Sequence, residues 1–427
     1  VIDTDAVEAL SRRVLGPEYK ALPPRSWGHT IESFLATSPR LSEFTTPVLT
    51  LDRARIASNI SVMAEWTARA GVLLAPHGKT SMAPQLWKQQ LDAGSWAITL
   101  ATGWQVQAAR AFGVERIVLA NAEIDPVALT WIAAELDSHP TFEFYCWADS
   151  VATVHEMDRI LSTQGERPVA VVVELGGPHG RTGARTTEEA ISVARAIASS
   201  PRLTLAGVGG YEGALSHDRT DSGLAAVRTY LDNVATLHRA LDAEGLYGGH
   251  AIVTAGGSAY QDLVVERLRS LTNGEGVPTD VVLRSGAYVV HDDGFYSQIS
   301  PLTPARTDAP LMSAMHGWAR TVSRPEPGLA LLDAGKRDFP FDEGLPVPQS
   351  VRGTETLASG ADITALNDQH AFLRLPAEDS GALPVGSVVR LGLSHPCTAF
   401  DKWRLIPVVD DADSDDPRVV DLVHTFF

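Results

Sequence analysis

Val72-Leu73-Leu74-Ala75-Pro76-His77-Gly78-Lys79-Thr80 passes abruptly from a short apolar run to a polar turn that carries a lysine. The run Val72–Pro76 reads as a buried strand, and Lys79 stands just past its C-terminal end. A lysine there either snorkels to water or is held for chemistry. What surrounds it decides between the two. The same texture recurs at Trp96–Ala101, Arg116–Ala120, Phe142–Trp147, Val169–Leu175, Leu203–Val208, Ala251–Ala255 and Val281–Leu283, eight runs in all. Each is near-continuously apolar, as parallel strands buried on both faces are. Between them lie amphipathic stretches such as Pro84–Ala93, Thr102–Phe112, Pro126–Leu136, Ser150–Ser162 and Thr187–Ser199. Acidic or small polar residues stand near several of their starts, where helices begin. The expected fold class is therefore α/β, with a (β/α)8 TIM-type barrel. An open doubly wound sheet is the alternative, and a count that closes at eight argues against it.

After Pro301 the texture changes. Gly317–Ser323, Leu329–Asp333, Asp362–Leu366, Ala371–Leu375, Ser387–Leu393, Arg404–Val409 and Val419–Phe426 read as short strands separated by Pro, Gly and Asp turns. The expected organisation is an N-terminal arm over 1–45, a barrel over 46–305 and a C-terminal all-β domain over 306–427. Thr46-Pro47-Val48-Leu49-Thr50-Leu51 reads as one further strand. The arm has two possible roles, pairing with the β domain or wrapping a second subunit.

Composition narrows the partners. The 427 residues are 44% hydrophobic and 20% charged, the balance of an ordinary globular chain. No run of eighteen apolar residues exists, so no membrane span is expected. Val1-Ile2-Asp3-Thr4-Asp5 lacks the basic and apolar regions of a signal peptide. The two cysteines, Cys146 and Cys397, are too few for a disulfide framework, which fits a reducing cytoplasm. A net charge of −17 argues against nucleic acid and anionic membranes, whose phosphates would repel it.

Barrels carry chemistry at the C-terminal ends of their strands. Those positions hold His77 and Lys79, then Thr102, Asn121, Asp149, Arg181, Tyr211, the Gly256-Gly257-Ser258 turn, and Arg284. Glycines admit backbone N–H groups close to a phosphate, and the loops after strands 7 and 8 are the usual phosphate site of barrels. A lysine and a phosphate site on one rim point to pyridoxal 5′-phosphate, with Lys79 as its covalent anchor. Arg181 and Tyr211 are then candidates to address the ring. In the β domain, His395-Pro396-Cys397 places nitrogen and sulfur donors at i and i+2. In an extended segment both would project to one side, and such a pair favours zinc. Two protein ligands leave positions for water or substrate, as a catalytic ion needs.

Together these residues resemble the fold-type III pyridoxal-phosphate enzymes of the D-serine dehydratase and D-threonine aldolase family, which join an alanine-racemase-like barrel to a C-terminal β domain. The resemblance runs from about Thr46 to the C-terminus. The family's Pro-His-x-Lys-Thr matches Pro76-His77-Gly78-Lys79-Thr80, and its Arg-x-Gly matches Arg181-Thr182-Gly183. Its Tyr-x-Gly matches Tyr211-Glu212-Gly213, its phosphate turn Gly256-Gly257-Ser258, and its Arg-x-Gly-x-Tyr Arg284-Ser285-Gly286-Ala287-Tyr288. The family's metal pair is His-x-Cys in dehydratases and His-x-Asp in aldolases, and His395 and Cys397 side with the dehydratases. Ala75, Ser81 and Met82 depart from the family, which usually has an arginine before Pro-His and a His-Lys pair after Lys-Thr.

The resemblance implies that His77, Lys79, Arg181, Tyr211, Gly256, Gly257 and Ser258 bind the cofactor, and that His395 and Cys397 bind Zn2+, with Mn2+ the lesser choice. It implies a lyase that eliminates water from a β-hydroxy D-amino acid to give a 2-oxo acid and ammonia. Lys79 and Tyr211 would be its catalytic groups, joined by His370 of Asn367-Asp368-Gln369-His370, whose plainer reading is structural. The handedness of the substrate is inherited from the family. Two rivals are retro-aldol cleavage to glycine and an aldehyde, and a cofactor-holding protein without enzymatic activity. A homodimer is the expected assembly.

Overall fold

The computed structural model describes every residue except 179, 354–356, 358–359 and 377–382. The strands of its first half are β1 (Val48–Asp52), β2 (Leu73–Leu74), β3 (Ile98–Leu100), β4 (Arg116–Ala122), β5 (Glu143–Ala148), β6 (Val169–Glu174), β7 (Leu203–Gly209), β8 (Ala251–Ala255) and β9 (Thr279–Leu283). β2 to β9 form one parallel sheet in the order β2-β9-β8-β7-β6-β5-β4-β3. The ring closes where Trp96 N donates to Leu74 O at 2.7 Å and Thr99 N donates to Pro76 O at 2.8 Å, with a parallel bridge between His77 and Thr99. This is the expected barrel.

Alternation along each strand builds two cores. Ala75, Ala97, Val118, Trp147, Ile252 and Val282 face inward as one cluster. Their neighbours, such as Ile117 and Leu119, join the larger core under the helices. Those helices start where side chains cap them: Asp52 for Arg53–Ala70, Thr102 for Gly103–Ala111, Asp125 for Pro126–Ser138, and Ser150 for Val151–Leu161. Thr186 and Glu189 form a capping box on Thr187–Ser199. The first strand is shorter than its apolar run because Pro76 has no N–H to donate, and the chain leaves the sheet into a tight turn.

The second half contributes β10 (Met315–Glu326), β11 (Leu329–Leu332), β12 (Val347–Val351), β13 (Asp362–Leu366), β14 (Ala371–Arg374), β15 (Val388–Gly392), β16 (Leu405–Val409) and β17 (Val419–His424). They form a sheet ordered β13-β14-β11-β10-β1-β16-β17, with β15 also on β10 and β12 on β15. β1 is part of this sheet. It runs antiparallel to β10, Val48 opposite Trp318, and parallel to β16, Leu51 opposite Val408. The boundary drawn at residue 46 therefore cuts through the β domain, because an apolar run does not reveal which sheet it joins. β12 escaped the sequence reading, since Val347-Pro348-Gln349-Ser350-Val351 shows no apolar alternation.

The arm packs on its own chain. Leu41 N donates to Pro417 O and Val419 N to Pro39 O, while Asp3 N donates to Phe112 O and Glu115 N to Val1 O on the barrel side. His424 of β17 lies against Tyr19 of the arm, with ring centroids 5.8 Å apart, and is 2% exposed. Burial, helped by the nearby Arg13 charge, lowers its imidazole to about 4. The unfolded value is near 6.5, so unfolding takes up a proton below that pH, and folding stability falls as pH drops from 6.5 toward 4. At pH 5 the expected loss is about 2 kcal/mol from this group. H424F removes the titration and keeps an aromatic ring. Its melting temperature is expected to drop less between pH 7 and pH 5 than that of the parent, and equal drops would refute the assignment.

Candidate active site

The C-terminal ends of the barrel strands open on a cavity of about 610 Å³. His77, Lys79 and Thr80 line it from the first strand end, Asn121 from the third, and Trp147 from the fourth. Glu174, Arg181 and Thr182 enter from the fifth, and Tyr211 from the sixth. Gly257 and Ser258 follow from the seventh, with Arg284 and Gly286 from the eighth. The β domain of the same chain adds Glu343, His395 and Cys397.

Lys79 sits in the 3-10 turn Gly78–Thr80. The Trp87 indole N–H donates to Gly78 O at 3.1 Å, and a Cβ at Gly78 would meet Trp87 and Ile98. Only glycine lets the turn lie this close, and the turn aims the lysine at the cavity. Its ammonium forms no hydrogen bond or ion pair among the described residues. Burial lowers its pKa, the Cys397 thiolate opposes that, and the Arg181 and Arg284 charges lower it further. A larger share of neutral amine follows, the form that attacks carbonyls and accepts protons. His77 is held neutral by burial and by the Lys79, Arg284 and Arg181 charges.

The loop bearing Arg181 is braced from within. Gly176 N donates to Ala184 O and Ala184 N to Glu174 O, both at 2.9 Å. The Arg185 guanidinium donates to the carbonyls of Thr182 and Gly183 at 2.9 Å. Gly183 has φ +101°, and a Cβ there would strike the Gly176 backbone. So held, the Arg181 guanidinium lies 4.9 Å from the Tyr211 ring centre. Burial and Glu212 push the Tyr211 phenol up to about 12, so it stays protonated as a donor.

The glycine turn departs from expectation. Gly256 and Gly257 donate their N–H groups to the Glu212 carboxylate at 2.9 and 2.8 Å, so neither offers a free donor to a phosphate, and Gly256 does not line the cavity. Glu212 is fully buried. Its place between Tyr211 and Gly213 was on view in the sequence, but its partners are forty residues and more away. The N–H groups of Ser258, Ala259, Gly286 and Ala287, on cavity-lining residues, have no acceptor among the described residues. The buried Nδ1 of His77, Nε1 of Trp147 and Nε of Arg284 also lack partners. Arg284 otherwise donates to Thr254 Oγ1 and Gly210 O, both at 2.6 Å. A wall of unspent donors beside a reactive lysine fits pyridoxal 5′-phosphate: four N–H groups suit the phosphate, and the rest suit a polar ring.

His395 and Cys397 meet, though not as an extended segment. β15 ends at Gly392, and His395 has φ +49° as the N-cap of the short helix Pro396–Phe400. The side chains still hydrogen-bond to each other. That bond, opposed by burial and helped by the Cys397 charge and Asp342, raises the imidazole to about 9. Burial alone would raise the Cys397 thiol. Hydrogen bonds from His395 and Thr80, with the His395 and Lys79 charges, outweigh it and lower the pKa. Cys397 Sγ lies 3.5 Å from Thr80 Oγ1, which joins the His395–Cys397 pair to the lysine turn. Imidazole nitrogen with thiolate sulfur is a donor set suited to zinc. Among the described residues no group of three His, Cys, Asp or Glu is placed to hold an ion. Water or substrate would complete the shell.

His370 is not at the site. It is exposed in the turn between β13 and β14, where Asn367 N donates to its carbonyl at 2.8 Å. The polar run that suggested chemistry is a hairpin turn. Thr102 caps a helix, and Asp149 accepts the Gly183 N–H at 3.2 Å, so both serve the scaffold. Sequence reasoning missed Phe295 and Tyr296, which line the cavity from the connection after β9. Burial, with the nearby Tyr211 and Cys397, raises the Tyr296 phenol well above 10. No local pattern marks that connection or the loop carrying Glu343.

Comparison with known proteins agrees with this geometry. Residues 314–409 match the putative serine dehydratase domain family. D-threonine aldolase from Arthrobacter sp. is 25% identical over 375 residues, 87% of this chain and 90% of that protein. The crystal structure of D-threonine aldolase from Filomicrobium marinum superposes with a TM-score of 0.75 at 21% identity, covering 90% of this chain and 96% of that one. A cysteine-to-alanine mutant of D-threo-3-hydroxyaspartate dehydratase, solved in the metal-free form, gives 0.70 at 21% identity over 90% and 97%. These structures share the fold. Among the described residues no helix is long and apolar enough to cross a membrane.

Proposed function

We propose that this chain, which resembles the fold-type III pyridoxal-phosphate enzymes of the D-serine dehydratase and D-threonine aldolase family, is a lyase acting on β-hydroxy D-amino acids. It eliminates water to give a 2-oxo acid and ammonia, using pyridoxal 5′-phosphate on Lys79 and Zn2+ on His395 and Cys397. The observation that carries this reading is the meeting of both sets of residues in one cavity, with Thr80 in contact with Cys397.

The Lys79 amine, its pKa lowered, is suited to anchor the cofactor and to take the α-proton at Nζ. The bound cofactor supplies an electron sink for the α-carbanion. Ser258, Ala259, Gly286 and Ala287 would hold its phosphate, and His77, Trp147, Arg181, Tyr211 and Arg284 surround the ring site. Tyr211 keeps its proton and so presents a hydrogen-bond donor on the cavity wall. An ion on His395 and Cys397 supplies Lewis acidity at the β-hydroxyl, which leaves poorly as hydroxide without help. The β domain contributes Glu343, His395 and Cys397 to the cavity wall.

Likeness to a D-threonine aldolase favours a second reading, carbon–carbon cleavage to glycine and an aldehyde. The same parts serve both, and Cys397 at the dehydratase-type position argues for elimination. Incubating the cofactor- and zinc-loaded protein with D-serine and D-threonine separates them. Pyruvate from D-serine and 2-oxobutyrate from D-threonine, each with equimolar ammonia, are expected. Glycine formed in step with acetaldehyde would replace elimination by cleavage. Full cofactor occupancy with no product from either would leave a non-enzymatic holder. The family likeness also leads us to propose a homodimer.

A further inference from the structure

Beyond the metal pair itself, one carboxylate governs how His395 presents its nitrogen. Asp342 Oδ2 lies 2.5 Å from His395 Nδ1. Its other oxygen accepts the Thr398 hydroxyl at 2.7 Å, which ties the acid to the helix that carries Cys397. The neighbouring Phe341 lies under Lys336 and Lys402, whose ammonium nitrogens sit 5.5 and 5.7 Å from its ring centre, so the loop is anchored on both sides.

The backbone of His395 is held separately. Asp292 Oδ2 accepts the His395 N–H at 3.3 Å, and Ser394 Oγ bridges Phe295 N and Glu343 O at 3.3 and 2.7 Å. These contacts place the residue without choosing between its ring nitrogens. The Asp342 contact chooses. A carboxylate at Nδ1 keeps the proton there, and Nε2 is left as the nitrogen with a lone pair free for an ion. A dication held by the Cys397 thiolate, with Asp342 behind the imidazole, gives a locally neutral set of charges.

We infer that Asp342 is a positioning residue that sets metal affinity: it holds the His395 imidazole in the tautomer and orientation that direct Nε2, together with Cys397 Sγ, at one zinc ion. This rests on the metal-holding role proposed above. The sequence offers no hint of it, since Phe341-Asp342-Glu343-Gly344 reads as an ordinary polar loop.

The test is zinc affinity, measured by competition with a chromogenic chelator on metal-stripped, cofactor-loaded protein. D342N preserves shape and removes charge, and D342A removes the contact. Zinc dissociation constants are expected to rise by about 10- to 100-fold, most in D342A. T398V, which frees one side of the carboxylate, is expected to give a smaller rise. Cofactor content and the melting temperature of the metal-free protein should stay near parental values, which a merely structural tether would not allow. Parental zinc affinity in both Asp342 variants would overturn the inference. A parental protein that takes up no zinc would instead end the metal reading, and this inference with it.

Discussion

K79A is expected to lose at least about 10³-fold in turnover and all covalent attachment of the cofactor. Lys79 is the only lysine among the described cavity-lining residues. The turn that carries it is fixed by the close approach of Gly78 to Trp87. No neighbouring amine can take over, because the other cations there, Arg181 and Arg284, are guanidinium groups that stay charged. The amine acts twice, as anchor and as proton acceptor, so its removal compounds two losses. Borohydride reduction of the loaded parent, followed by peptide mass analysis, should find the cofactor on Lys79. A label on any other lysine would sink the assignment, as would a K79A protein that keeps a reducible linkage. The fold should survive, since the ammonium has no hydrogen-bond or ion-pair partner among the described residues whose loss would cost stability.

C397A is expected to lose its zinc and at least about 10²-fold in turnover while keeping its cofactor. The separation follows from topology. The residues proposed to hold the cofactor lie at barrel strand ends, whereas His395 and Cys397 come from the β domain. H395A should behave in the same way. Elemental analysis and cofactor absorbance, read on the same samples, check both halves. A C397A protein with parental turnover would show that the β-hydroxyl leaves without the ion. One that sheds cofactor and metal together would show the two sites to be a single cooperative unit.

The eight apolar runs were legible because strands buried on both faces carry no alternating polar positions, and the count alone suggested closure. Lys79, the Arg181 loop and Tyr211 were legible as rim positions because each comes within a few residues of a strand's C-terminal end. Glu212, Tyr296 and Asp342 were not, since each acts on a partner distant in sequence. His370 misled for the opposite reason: a polar cluster can make a hairpin turn as readily as a catalytic site.

The sequence by itself determined the barrel, the all-β half and the residue types proposed to meet a phosphorylated aldehyde and a soft-ligated ion, because periodicity and short motifs are local properties. Only the tertiary structure decided that β1 belongs to the second sheet, that Gly256 and Gly257 spend their N–H groups on Glu212, and that Asp342 stands behind His395. Each of these is a contact between segments far apart along the chain. Such contacts depend on how buried surfaces pack in three dimensions, which no local pattern encodes.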